Sequence, residues 1–140
     1  MQEKALQLVS LAQAKKLKEL GFDWEVIFDY SKKFGSDEII LSNVEFSNDY
    51  NTNYGEDTYS APSISLALKW FRDVKGVPNS IDSEWYDGSI KIAYIIKYFE
   101  TENETDCESD YEHYSTYEEA ESALLDALLE YCENNIKKQI

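Results

Sequence analysis

Residues 79–99 read NSIDSEWYDGSIKIAYIIKYF, and this stretch decides the fold class. Asp87-Gly88 sits between two runs rich in Ile, Tyr and Trp. It is a strong hairpin signal, because both central residues of the tight turn need a positive φ. Strands are expected over 79–86 and 89–99. A lone hairpin is only marginally stable in water, so the flanking chain must supply a layer to cover it.

Working outward, Ile64, Leu66, Ala67, Leu68, Trp70, Phe71 and Val74 recur at helical spacing and leave Lys69, Arg72 and Asp73 for water. Ser60 reads as the N-cap of this helix, Pro62 suits its first turn, and Gly76 suits its stop. Further upstream, Phe22, Trp24, Val26, Phe28 and Tyr30 alternate with Asp23, Glu25 and Asp29. That pattern predicts a half-buried strand over 25–31, returning after a turn at Lys33-Phe34-Gly35-Ser36 as a strand over 38–46. A first helix is expected over 2–20, with Leu6, Val9, Leu17 and Leu20 on one face and Gly21 as its left-handed cap. Residues 47–59 (SNDYNTNYGEDTY) have no period and read as a loop.

Downstream, Tyr111 to Ser115 reads as a short fifth strand. Ser115-Thr-Tyr-Glu118 reads as the capping box of a last helix that runs to about Asn135. The order α-β-β-α-β-β-(β)-α predicts an α+β fold: one antiparallel sheet of four to five strands in two hairpins, covered by three helices, as a single domain over 1–140.

Composition narrows the function classes. The 140 residues carry 13 Lys+Arg against 28 Asp+Glu, a net charge of −15. Direct nucleic-acid binding is not expected, since neutralising phosphates needs a basic surplus. The longest apolar run, Ile92 to Ile96, is far short of the roughly 20 residues a membrane span needs. The N-terminal MQEKALQLVSLAQ lacks the apolar core of a signal peptide. Cys107 and Cys132 fit a reducing compartment, so the cytoplasm is the expected location.

The acidity is concentrated late in the chain. Residues 99–140 hold 2 basic and 13 acidic side chains, and from Phe99 to Ile136 there is no Lys or Arg. Within it, Glu100, Glu102, Glu104, Asp106, Glu108, Asp110 and Glu112 fall on alternate positions. In one extended strand they would share a face about 7 Å apart. Neighbours would repel by roughly 0.6 kcal/mol in water and several-fold more if buried. Such a face must be solvated, bind cations or meet a basic partner. The competing readings are a solvated tip, a mimic of a nucleic-acid backbone, and a docking face for a basic protein surface.

Two further sets are candidates for binding. Tyr50 and Tyr54, with Tyr59, stand in a loop whose Tyr, Asn, Ser and Gly content suits adaptable recognition; covering a sheet edge is the alternative. In the last helix Ala120, Ala123, Leu124, Ala127, Leu128 and Tyr131 form a core face, which Leu125, Leu129, Cys132 and Ile136 widen beyond half the circumference. A helix that apolar is either wedged between layers or packed on another chain. The second case makes those four residues a homodimer contact.

Catalysis has little to stand on. His113 is the only histidine and lies among acids, which favour its charged form. No nucleophile elbow or Gly-rich phosphate loop is present, and Cys107, Cys132 and His113 are too few for a zinc site. Asp49-x-Asn51-x-Asn53 begins like a calcium loop, but the glycine arrives one place late, at Gly55, and position twelve is Ser60. No catalytic residue, cofactor or metal site is therefore assigned. The rival is a divalent-metal-dependent hydrolase built on the Asp49–Asp57 loop.

Three blocks together carry a resemblance: LAQAKKLKELGFD (11–23), SAPSISLALKWFRDVKGV (60–77) and YEEAESALLDALLE (117–130). In this order the chain resembles a group of small uncharacterised proteins of gut bacteria, often encoded in prophage-like or mobile elements. The resemblance implies an accessory protein of phage or mobile-element origin and brings no activity and no catalytic residue. The stretch from Glu100 to Glu112 is not part of it. The expectation is thus a non-catalytic acidic protein that binds a basic protein surface; a structural or assembly component of a phage or operon complex is the alternative.

Overall fold

The computed structural model describes residues 7–32, 35–101, 104–109 and 114–138. The fold is α+β with antiparallel sheets, and the chain forms two compact units. One comprises Met1–Ser63 with Cys132–Ile140, the other Ile64–Tyr131.

In the first unit, helix α1 spans Leu11–Glu19; of the expected 2–20, residues 7–10 are not helical and 2–6 lie outside the described set. It starts where it does because Ser10 and Gln13 form a reciprocal capping box: the Ser10 Oγ accepts from the Gln13 N–H at 3.1 Å, and Gln13 Oε1 accepts from the Ser10 N–H at 2.9 Å. Val9, expected in the helix, instead precedes it and is buried, and its N–H donates to the Pro62 carbonyl at 3.0 Å. The helix ends as expected. Gly21 has φ 95°, its N–H donates to the Lys18 carbonyl, and Phe22 N–H donates to the Leu17 carbonyl. Both bonds are those of a Schellman cap, and Leu17 and Phe22 are buried together with it.

Strand β1 (Val26–Lys32) pairs antiparallel with β2 (Ile39–Asn48), as expected. A third strand, β3 (Tyr59–Ser60), was not foreseen and pairs with the other edge of β1, Asp29 opposite Ser60. Between β2 and β3 the expected loop contains a one-turn helix, α2 (Tyr50–Asn53). Ser60 therefore belongs to a strand and is not a helix cap; its buried Oγ accepts from the Tyr50 N–H at 3.0 Å.

In the second unit, α3 (Ile64–Asp73) buries Ile64, Ala67, Leu68, Trp70 and Phe71. Gly76 follows with φ 66°. Strands β4 (Asn79–Tyr86) and β5 (Ser89–Thr101) form the expected hairpin, turning through Asp87 (φ 52°) and Gly88 (φ 81°). The fifth strand is misplaced in the sequence reading. β6 runs over Glu104–Ser109 and pairs with β5, while Tyr114 makes only an isolated bridge to Ile92; residues 111–113 lie outside the described set.

The predicted single sheet is thus two three-stranded sheets, ordered β2-β1-β3 and β4-β5-β6. Each hairpin recruits its own third strand, β3 beside β1 and β6 beside β5. The last helix, α4, spans Tyr117–Lys138. Its cap lies one residue later than expected: Thr116 Oγ1 accepts from the Glu119 N–H at 3.1 Å, and Glu119 returns a bond to the Ser115 N–H.

One residue of β1 goes against the alternation. Asp29 was expected to face water, yet it is 6% exposed and its Oδ1 has no hydrogen-bond partner among the described residues. Burial raises its carboxyl above the ordinary aspartate range. A raised carboxylate favours folding when protonated, and this contribution is lost as pH rises through the folded-state value. Asp29→Asn is expected to stabilise the chain by about 1 kcal/mol near pH 7. The difference in urea midpoint should shrink as pH falls and the wild-type carboxyl becomes protonated too. A gap that did not narrow with acid would mean that charge is not the cause.

Candidate functional site

The acidic stretch does not form one extended ladder. Glu100 lies in β5, and the chain reverses before β6, so that only Glu104, Asp106 and Glu108 occupy alternate positions of a single strand. They stand in register with Thr101, Tyr98 and Ile96 of β5. Glu102, Asp110, Glu112 and His113 lie outside the described residues. The turn explains the difference. Alternating acids carry no signal for a reversal, and the return is seen only in the pairing of β6 with β5.

The tyrosine pair separates. Tyr50 is buried at the start of α2, which leaves it no face for a partner, while Tyr54 is half exposed. Their rings lie 4.9 Å apart, and the Tyr54 hydroxyl accepts from Asn48 Nδ2 at 3.1 Å. The Asp49, Asn51 and Asn53 side chains are employed structurally. Asp49 Oδ1 caps α2 by accepting from the Asn51 and Thr52 N–H groups. Asn51 accepts from the Ser60 N–H and donates to the Phe22 carbonyl, both at 2.8 Å, while Asn53 donates to Asn48 Oδ1. The Lys18 ammonium closes the loop from α1, donating to the Gly55 and Thr58 carbonyls at 2.6 and 2.9 Å. Among the described residues there is no group of three or more His, Cys, Asp or Glu that could hold a metal ion.

Leu125, Leu129 and Cys132 are buried within a single chain, so they offer no surface to a second copy; the Ile136 side chain is outside the described set.

Among the described residues, the large apolar side chain most exposed to water lies elsewhere, at the tip of the β4–β5 hairpin. Trp85 is 75% exposed and its cross-strand partner Ile90 is 55% exposed. Alternation explains the position. Asn79, Ile81, Ser83 and Trp85 on β4, and Ile90, Ile92 and Tyr94 on β5, occupy one face of the ribbon. At the base of that face Asn79, Ile92 and Tyr94 are buried. Towards the tip the same face continues past the core into water. Near the tip, Asp82 and Asp87 are exposed and Lys91 is half-buried. A Trp directly opposite an Ile at a ribbon tip is a rigid amphipathic knob of the kind that anchors interfaces. The alternation of β4 places Trp85 in a strand but carries no signal for where the core ends.

The chain matches no protein-family profile, no curated protein and no solved structure. No helix of the described residues is long and apolar enough to cross a membrane.

Proposed function

We propose that the chain is a non-catalytic interaction protein that docks a basic protein surface through the tip of the β4–β5 hairpin. The observation that carries this reading is Trp85, three-quarters exposed beside exposed Ile90. Large apolar side chains standing together in water are costly unless a partner covers them, and Trp is among the residues most enriched at binding hot spots. The net charge of −15 selects a basic partner by raising its encounter rate and by repelling acidic competitors, a second copy of this chain included. An origin in phage or mobile elements rests on the three-block resemblance alone.

The test compares wild type with Trp85→Ser and with Asp82→Asn/Asp87→Asn as bait, at about 50 and about 300 mM salt. Trp85→Ser is expected to leave stability within about 0.5 kcal/mol and to abolish capture of a basic protein that wild type retains at low salt. The double asparagine variant should weaken capture and flatten its salt dependence. Equal capture by wild type and Trp85→Ser would overturn the assignment of the hairpin. A wild-type dimer that the serine variant disperses would replace the basic partner with a second copy.

A further inference from the structure

The second unit also contains an open cleft of about 290 Å³ between α3, β4 and the first turns of α4. From α3 it is lined by Ser65, Leu68 and Arg72, and from α4 by Tyr117, Glu121 and Leu124. These spacings, i, i+3, i+7 and i, i+4, i+7, bring each set onto one helix face. Leu68, Leu124 and Ile81 of β4 supply an apolar lining between two charged groups.

Those groups are held in place from behind. Asn79 is buried, and its Nδ2 donates to the Leu68 and Val77 carbonyls at 3.2 and 3.1 Å. This fixes its Oδ1, which accepts from Arg72 Nη1 at 3.0 Å and leaves the other guanidinium donors free to meet a ligand. Glu121 Oε2 accepts from the Ser65 hydroxyl at 3.0 Å. Among residues whose side chains are described, neither Arg72 nor Glu121 has an ion-pair partner, in a chain where acids outnumber bases two to one. Ser65 and Arg72 are seven residues apart on α3, about 10 Å along its axis. The cleft therefore presents a carboxylate at one end, a guanidinium towards the other, and apolar side chains between.

We infer that this cleft binds a small zwitterion whose carboxylate and cationic group are separated by an apolar stem, the chemistry of ω-amino acids and of lysine. The ligand carboxylate pairs with the Arg72 guanidinium, for which a planar fork is suited. The ammonium meets Glu121, and the methylene stem lies on Leu68, Ile81 and Leu124. In a simple α-amino acid such as glycine the two charges are too close together to reach both ends. This inference is independent of the hairpin and of its partner.

The experiment is calorimetry on the full chain with 6-aminohexanoate and lysine, against glycine, hexanoate and hexylamine as short or one-ended controls. 6-Aminohexanoate is expected to bind saturably and about tenfold or more tighter than any control, the gain of one added charge-assisted contact. Arg72→Gln should remove its advantage over hexylamine, and Glu121→Gln its advantage over hexanoate. Trp85→Ser should leave binding unchanged. If Arg72→Gln unfolds for want of its bond to Asn79, Glu121→Gln and the ligand series decide alone. Absence of saturable binding at millimolar ligand, equal binding of the one-ended controls, or wild-type affinity in Glu121→Gln would each overturn the inference.

Discussion

Trp70→Ala is expected to lower the unfolding free energy by about 3–5 kcal/mol, the usual loss when a buried Trp becomes Ala. Trp70 is 1% exposed on the inward face of α3, its ring edge-on to Phe71 at 5.1 Å. Lys75, just past the helix end, places its ammonium 5.4 Å from the ring centroid. The substitution removes the largest of the fully buried side chains and leaves a void that rigid neighbours fill only in part. For a chain of this size the midpoint should fall by on the order of 10 °C or more. Trp70→Phe keeps most of the volume and should lose less than half as much. Thermal melts by far-ultraviolet circular dichroism measure both. A shift of only a degree or two for Trp70→Ala would mean that α3 does not stand on this residue.

The second large effect is expected at Asn51. Asn51→Leu leaves the Ser60 N–H and the Phe22 carbonyl without their partner, at about 1–3 kcal/mol for each group left unsatisfied. Asn51→Asp retains an acceptor for Ser60 but offers the Phe22 carbonyl an anion in place of a donor, so it should fall between wild type and Asn51→Leu. Urea midpoints give the order. The same titration decides the old rival for this loop. If the side chains of Asp49, Asn51 and Asn53 are caps and bridges, added calcium leaves the wild-type midpoint where it was. A calcium-dependent rise, lost in Asn51→Leu, would restore the cation reading.

How far the fold was legible depended on the range of the signal. The Asp87-Gly88 hairpin, the Gly21 and Gly76 stops and the apolar face of α3 were all readable, because each is set by residues within one or two turns of chain. The boundary of α1 was written in the sequence as well: Ser10 and Gln13 have the spacing of a capping box, and the apolar spacing of Leu6 and Val9 concealed it. β3 could not be read, since a two-residue strand has no period. Its place is made by Asn51 and by the pairing of Ser60 with Asp29. β6 was hidden for the opposite reason, as a regular alternation of acids looked like one strand and concealed the reversal.

The candidate sites divide in the same way. The acidity follows from residue types alone, because charge belongs to the side chains themselves. Whether a side chain is covered does not. Tyr50, Leu125, Leu129 and Cys132 had the composition of binding surface and are buried; Trp85 had the pattern of core and is exposed. The pairing of Arg72 with Asn79, and of Glu121 with Ser65, joins residues 7 and 56 positions apart. Local sequence determined the turns, caps and helical faces of this protein, since backbone sterics and short-range hydrogen bonds act within a few residues. Only the tertiary structure decided which apolar face ran past the core and which charged groups came to share a cleft, because burial depends on what distant segments bring to the same place.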